Sequence, residues 1–425
     1  MDKRVVITGL GVVAPNGVGL PLFTEAIKRG QSGIRFDPEL AQLGFSCQIS
    51  GKPLLNDELI GAYLSPLELK NFNSTGILYG LIAGMDAWKD AGLLPAETDE
   101  PDWNSGCIFG TGTSGTDKFR ESIYKVDNLQ VRKLGSTVVA QTMVSGVSAY
   151  LGGKLGLGNQ VTTNSSACIT GTESILMAYE RIKTGKATRM LAGSTSDSGP
   201  YIWAGFDAIK VCTYKHNDAP QQGSRPMSIT ASGFVPAAGA GAMVLEDLDT
   251  ALERGAHIYA EVMGGHLNSG GQRGSGSMTA PNPIAVKRCI QSALEETGIR
   301  PAELDAINGH LTATSKDALE IKNWSEALLL EGSRFPYINS LKSMTGHCLS
   351  AAGSIECVAS VLQIHEGFVF PNINCEDLHP EITSIISEDC IPRQLLQKPI
   401  HILAKASFGF GDVNACIIFK KYQNE

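Results

Sequence analysis

The sequence predicts an α/β protein with buried sheets, laid out as two copies of one βα plan. Three observations carry this. Apolar β-rich runs alternate with helical patterns along the whole chain. Two distant segments, Ala91-Gly92-Leu93-Leu94-Pro95-Ala96-Glu97 and Thr297-Gly298-Ile299-Arg300-Pro301-Ala302-Glu303, each end a helix and lead to a strand, then to Gly110-x-Gly112 or Gly309-His310. Glycine is 47 of 425 residues with no fixed period, which excludes collagen and calls for many tight turns.

In chain order, a first strand is expected over Arg4–Ile7. Its start imitates a signal peptide, but Pro15-Asn16-Gly17 breaks the apolar run and no small-x-small cleavage site follows. Helices follow over Leu20–Arg29 and Thr75–Ala91, then a strand over Ser105–Phe109 and a helix over Thr142–Leu151. A strand over Gln160–Thr163 runs through Asn164-Ser165-Ser166-Ala167-Cys168 into a helix over Thr170–Thr184, ended near Gly185. Strands over Met190–Ala192, Gly241–Leu245 and Ile258–Met263 come next. The second copy begins near residue 255. It continues with a helix over Ile284–Thr297, strands over Ala306–Asn308 and Tyr337–Asn339, and a helix over Lys316–Leu330. Its second unit passes through Asn339-Ser340-Leu341-Lys342 to His347 and a helix over Ala351–His365, ended near Gly367. A strand over Ala415–Lys420 closes the chain. Two halves, 1–254 and 255–425, account for the length without a linker.

Composition narrows the function. Hydrophobic residues are 43% and charged residues 18%, enough for a large core and too few charges for wholesale disorder. The net charge is −8, so nucleic-acid binding is disfavoured for want of a basic face. Ten cysteines are too dilute for a disulfide scaffold, and no Cys-x-x-Cys, His-Glu-x-x-His or zinc spacing occurs. A reducing, cytoplasmic setting is expected. The uncharged stretch from Ala231 to Leu245 is too short and too rich in glycine and proline to span a membrane.

Three constellations could carry chemistry. Thr170 and Glu173 form a Thr-x-x-Glu capping box, which places Cys168 in the turn before a helix N-terminus, where unpaired amides and the dipole favour a thiolate. A buried structural cysteine is the plainer alternative. His310 and His347 each follow a predicted strand in the second half. If the halves pack about a pseudo-twofold axis, their turns converge on Cys168, where imidazoles could hydrogen-bond an oxyanion or move protons. Lys342 stands five residues before His347 and could tune it. Gly110-x-Gly112-x-x-Gly115 matches a dinucleotide fingerprint, but the expected acidic residue at the tip of a second strand is missing. Ser122-x-x-Lys125 with Lys183-Thr184-Gly185 imitates part of a penicillin-binding set without its Ser-Asp-Asn.

Taken together, Cys168, His310, Lys342-Ser343-Met344-Thr345-Gly346-His347 and Ser407-Phe408-Gly409-Phe410-Gly411 resemble the β-ketoacyl-acyl-carrier-protein synthases of the I/II type, closest to synthase II. Support runs the length of the chain, from VVITGLGVVAPNG through Gly205-Phe206, Ser224-Arg225-Pro226 and Gly239–Glu246 to the SAAGSIE run ending at Glu356. The resemblance implies the thiolase fold, an αβαβα sandwich of two related halves. It implies that Cys168 holds the acyl chain, with the amides of Cys168 and Phe410 as oxyanion hole. His310 and His347 would bind the malonyl thioester carbonyl and stabilise the enolate, and Lys342 would set the field. Glu356 would support the site. Phe410, with Phe408 of the same glycine-rich loop, would also form the gate. Thr312 and Thr314 would hold the phosphopantetheine arm, and Thr113 and Phe206 would line the acyl pocket. Arg132, Lys133 and Lys210, with Lys70 nearby, would dock the acidic carrier protein. No metal and no cofactor is implied, beyond the phosphopantetheine that carries the substrates. A dimer is implied, either with itself or with a synthase-like paralogue.

Three departures mark a divergent branch. His310-Leu311-Thr312-Ala313-Thr314 replaces the usual His-Gly-Thr motif, with a shortened loop to Asp317. Ala237-Ala238-Gly239-Ala240-Gly241 lacks the usual acidic residue. The Phe-Gly-Phe-Gly loop ends Gly411-Asp412-Val413-Asn414. They point to a specialised pathway, such as aryl-polyene or related polyketide pigments, rather than housekeeping fatty-acid elongation. The rival reading of another class is a non-elongating partner subunit like the chain-length factors, which typically lack the cysteine. A thiolase and a nucleotide-binding oxidoreductase rank below it.

Overall fold

The computed structural model describes residues 3–423. Ten strands are numbered here: β1 (Val5–Ala14), β2 (Ser105–Thr111), β3 (Val161–Thr162), β4 (Arg189–Ser196), β5 (Gly239–Asp247), β6 (Ala260–Ser269), β7 (Ala306–Asn308), β8 (Tyr337–Asn339), β9 (Ile402–Gly409) and β10 (Val413–Lys420). They form one sheet in the order β8-β7-β9-β10-β6-β1-β5-β4-β2-β3, and Gly17–Val18 pairs back on β1 as an eleventh strand.

This order mirrors itself about β1 and β6, which pair antiparallel through Val5↔Val262. Outward from β1 come antiparallel β5 and β4, then parallel β2 and β3. Outward from β6 come antiparallel β10 and β9, then parallel β7 and β8. The central strand β1 is buried at every position, as a strand covered on both faces must be.

Six helices complete five layers: α1 (Thr75–Asp90), α2 (Gly146–Leu155), α3 (Thr170–Lys183), α4 (Pro283–Thr297), α5 (Asp317–Leu328) and α6 (Ala352–Glu366). Helices α1 and α2 cover the outer face of the β1-side strands, and α4 covers β6 and β10 with α5 packed on it. Helices α3 and α6 lie against each other between the two halves of the sheet. This is the αβαβα sandwich that the resemblance implies. Helix α6 is buried all round from Ala352 to Ile364, which is the mark of an interior helix. The two inner helices touch backbone to backbone. A Cβ on Gly171 would stand 2.3 Å from the Ser354 nitrogen, and one on Gly353 would stand 2.7 Å from the Thr172 nitrogen.

Each inner helix is entered through the same turn. A 3-10 turn over Ala167–Ile169 precedes α3, and one over Leu349–Ala351 precedes α6. The first residue of each is left-handed, Ala167 at φ 48° and Leu349 at φ 52°. Cys168 is the middle residue of the first turn and Ser350 the middle residue of the second.

The structure corrects several expectations. The capping box at Thr170 and Glu173 does not form. Thr170 is already helical, its hydroxyl donates to Ala167 O at 2.7 Å, and the Glu173 carboxylate takes Asn164 Nδ2 instead. The helix expected over Thr142–Leu151 is two helices, Val138–Thr142 and α2, separated at Met143 to Ser145. Helices Thr116–Asp127 and Pro200–Ala208 were not anticipated, nor was β9. The glycine fingerprint leads into no open phosphate site. Gly115 enters helix Thr116–Asp127 with φ 60°, and the buried carboxylate of Asp197 already accepts the Thr116 amide at 3.0 Å.

Candidate active site

Cys168 is 9 % exposed, at the tip of the turn between β3 and α3. The end of β9 packs on that turn so closely that a Cβ on Gly409 would lie 3.1 Å from the Cys168 nitrogen. The backbone N–H groups of Phe410 and of Cys168 itself favour the charged form of the sulfur. Burial nevertheless dominates and pushes the thiol up to about 11, against the lowering effect of the Lys342 charge and the Phe410 amide. The thiolate expected from the helix N-terminus is therefore not the resting form.

His310 follows β7 and His347 follows the short helix Lys342–Thr345. Both are buried, their rings lie 5.5 Å apart and nearly perpendicular, and the reactive atoms of Cys168, His310 and His347 all lie within 4.8 Å of one another. The convergence expected of the two halves is met. Hydrogen bonds fix both tautomers. Nδ1 of His347 accepts the backbone N–H of Leu349 at 3.1 Å, so its proton sits on Nε2. Nδ1 of His310 faces the Lys342 ammonium at 3.5 Å, which leaves the same arrangement. Burial, then the Lys342 charge, hold both imidazoles well below the usual histidine range. The pair are neutral donors, suited to an oxygen that gains negative charge.

Lys342 is buried and ion-paired with Glu356 on α6. The other oxygen of Glu356 meets a second buried ammonium, Lys405 Nζ, at 2.9 Å. Lys405 was not anticipated. Two further carboxylates were also missed, both on α5. Glu320 accepts the amides of His310 and Leu311 at 2.7 and 2.8 Å, and burial raises it to about 7. Asp317 accepts the amides of Thr312, Ala313 and Met227 at 2.9, 3.1 and 2.9 Å, and burial raises it to about 6. Together they hold the departing His310–Thr314 segment in place. Their signal in the sequence was weak: two acids three residues apart on an otherwise apolar helix face.

Two chambers meet at Cys168 and Phe410. One, of about 400 Å³, is lined by His310, His347, Thr312, Thr314 and Phe408. The other, of about 290 Å³, is lined by Thr113, Phe206, Ile202, Leu349 and Ser350. The Thr312 and Thr314 hydroxyls lie 3.1 Å apart. Phe206 and Phe410 face each other across 6.0 Å, so Phe410 stands at the junction. Phe408 is buried against the His310 ring at 6.1 Å. The docking candidates Lys70, Arg132, Lys133 and Lys210 are all exposed and lie outside both chambers.

Asp412, one of the departures, has a structural reason. It is fully buried, and its carboxylate accepts the amides of Gln272 at 2.9 Å and Asn282 at 2.7 Å. The segment so held brings Thr279, Ala280 and Pro281 to the wall of the larger chamber.

The chain as a whole is similar to known proteins. A family model described as "Beta-ketoacyl synthase, N-terminal domain" matches residues 2–251, and one described as "Beta-ketoacyl synthase, C-terminal domain" matches residues 259–376. The chain is 32% identical over 426 residues to 3-oxoacyl-[acyl-carrier-protein] synthase 1 of Escherichia coli (strain K12), covering 99% of this chain and 100% of that one. It is 34% identical over 428 residues to 3-oxoacyl-[acyl-carrier-protein] synthase 2 of Vibrio harveyi, covering 99% of each. A type II PKS ketosynthase, solved with its acyl-carrier protein and bound to the hexaketide, superposes with a TM-score of 0.87 at 29% identity over 99% of this chain and 100% of that one.

Proposed function

The chain belongs to the β-ketoacyl synthase family, and we propose that it condenses malonyl-acyl-carrier protein with an acyl primer held on Cys168. As an enzyme it is an acyltransferase of the 3-oxoacyl-[acyl-carrier-protein] synthase class. The observation that carries the proposal is the meeting of two chambers at one cysteine, with two donor imidazoles on one side only.

In this reading the Cys168 sulfur attacks the acyl thioester carbonyl. The Cys168 and Phe410 amides hold the oxyanion, and the pantetheine thiol leaves with the proton. The acyl chain then lies in the Thr113 and Phe206 chamber. The malonyl thioester enters the other chamber, its arm against Thr312 and Thr314. Its carbon–carbon bond breaks to release carbon dioxide, and Nε2–H of His310 and of His347 hold the enolate oxygen. The enolate carbon attacks the acyl-Cys168 carbonyl, the new carbon–carbon bond forms, the carbon–sulfur bond breaks, and the leaving sulfur takes a proton from solvent. The steps need sulfur, imidazole and amide groups and no further cofactor.

The carrier protein is proposed to dock at the exposed Arg132, Lys133, Lys210 and Lys70. We also propose a dimer, with a second copy or a synthase-like paralogue. The exposed apolar side chains of Phe119, Ile123, Val126, Val139 and Val144 support it. The division into 1–254 and 255–425, a cytoplasmic location and a role in fatty-acid or polyketide, including aryl-polyene, synthesis belong to the same proposal. Among the described residues no helix is long and apolar enough to cross a membrane.

The test is the intact mass of wild type and Cys168→Ala after incubation with a panel of acyl-carrier proteins. An acyl adduct on wild type alone is expected. No adduct across a broad panel, with and without candidate partner subunits, would favour the non-elongating subunit instead.

A further inference from the structure

Lys405 lies on β9, fully buried, and connects to the imidazole pair through Glu356 and Lys342. Its ammonium ion-pairs with Glu356 Oε2 at 2.9 Å, donates to Ser407 Oγ at 3.1 Å and to the Ala406 carbonyl. Lys342 takes the other oxygen of the same carboxylate. One buried carboxylate is thus bracketed by two buried ammonium groups. A buried charge without its own counter-charge is expensive, and a pair of one lysine and one glutamate would already be neutral. Lys405 is therefore unnecessary for neutralising Glu356 and leaves the Lys342–Glu356–Lys405 group with one positive charge in excess.

We infer that Lys405 is a positioning residue for the condensation, and that its surplus charge fixes His310 and His347 as neutral hydrogen-bond donors. Protonation of either ring must occur at Nδ1. At His347 that would break the bond from the Leu349 amide, and at His310 it would set an imidazolium against the Lys342 ammonium. Either change removes the Nδ1 contact that seats the ring. The charge of Lys405 is among the causes that lower both histidines.

The other groups around them come from every packed element. Lys342 and His347 itself lie beside His310, and Glu356 and Cys357 approach from α6. Cys168 approaches from the turn before α3, Glu320 and Asp317 from α5, and Cys416 from β10. Cys357 and Cys416 are held up as thiols by burial, and Glu320 bonds the His310 backbone amide rather than its ring.

The experiment compares wild type, Lys405→Met and Lys405→Arg. The variant Lys405→Met leaves a one-to-one Lys342 and Glu356 pair and should fold. Histidine labelled with 15N is titrated by NMR, with His310→Gln and His347→Gln to assign the signals. This readout is independent of activity. The transition of one or both rings is expected to rise by about one pH unit or more in Lys405→Met and to stay in place in Lys405→Arg. In parallel, kcat/KM for carbon dioxide release from malonyl-carrier protein should show its acid limb moved upward by the same amount, with the alkaline plateau largely kept. A structural role would lower the plateau without moving the limb. Unchanged histidine titrations in folded Lys405→Met would overturn the inference. So would failure of both Lys405→Met and Lys405→Gln to fold. The activity arm rests on the proposed function. Absence of carbon dioxide release from wild type at every pH would count against that function alone, and the titration would still decide the role of Lys405.

Discussion

Leu349 donates its backbone N–H to Nδ1 of His347 at 3.1 Å, and that bond decides what the ring can do. With Nδ1 occupied as an acceptor, Nε2 carries hydrogen and cannot serve as a base without first losing it. His347→Ala is therefore expected to lower malonyl decarboxylation by about 10²–10³ in kcat, the usual cost of one lost oxyanion donor. His347→Asn, which still presents an N–H, should lose less. Carbon dioxide release under saturating substrate measures both, and an Ala variant within a few-fold of wild type would rule out the donor role.

The Cys168 thiol, pushed up to about 11 by burial, should react with iodoacetamide at a rate that climbs with pH beyond 9. The Lys342 charge lowers it, so Lys342→Met should raise the thiol further and slow alkylation at neutral pH. A rate that levels off below pH 8 in wild type would contradict the buried-thiol picture. Mass-resolved alkylation kinetics between pH 6 and pH 10.5 would read it.

Stability should fall as pH rises from about 4.5 to about 7. Glu320 is raised from 4.5 to about 7 by burial and Asp317 from 3.8 to about 6. Between those values the folded protein keeps protons that the unfolded chain gives up. The stabilising contribution is thus complete below the unfolded values and is lost as pH passes the folded ones. Thermal unfolding scans of wild type should show Tm dropping from pH 5 to pH 8, and Glu320→Gln should flatten that slope. An equal slope in the variant would remove Glu320 from the account.

Asp412→Ala should free the segment that Asp412 ties through Gln272 and Asn282. Because that segment walls the larger chamber only, KM for malonyl-carrier protein should rise while acylation of Cys168 stays near wild type. Pre-steady-state acylation followed by steady-state kinetics separates the two. A larger loss in acylation than in malonyl use would refute the assignment.

Gly171→Ala should be severely destabilising, since its Cβ would stand 2.3 Å from the Ser354 nitrogen, a backbone atom that cannot rotate away. Overpacking typically costs about 1–3 kcal/mol, and backbone contact places this site at or beyond the upper end. Chemical denaturation gives the number, and a change below about 0.5 kcal/mol would mean that the inner helices slide apart without penalty.

The sequence made the alternation, most strands and the reacting trio legible for separate reasons. β7 and β8 lie within their expected bounds because each is a short apolar run between turn signals. Cys168 and His310 were legible because residues so chemically distinctive sit in turns after strands, and His347 because it closes a distinctive run, although a short helix over Lys342–Thr345 separates it from its strand. β9 was missed because Lys405 interrupts its apolar run and reads as a solvent-facing residue. Only the tertiary placement of Glu356 explains how a lysine can lie fully buried there. The roles of Glu320, Asp317 and Asp412 were missed for a related reason. Their partners are backbone amides of segments that the side-chain pattern does not identify. The capping box failed because Glu173 had a nearer use, taking the Asn164 side chain at 2.7 Å.

The twin turns at Ala167 and Leu349 have a consequence for the order of events. Both present their middle residue in the same way, but only one of those residues is a sulfur. Ser350 has its hydroxyl hydrogen committed to the Thr195 carbonyl at 2.7 Å. In the proposed condensation the two bends therefore offer one covalent station between them. The primer is then loaded and its carrier released before the extender is used, so an alternating, ping-pong sequence follows from the inequality of two otherwise equivalent bends.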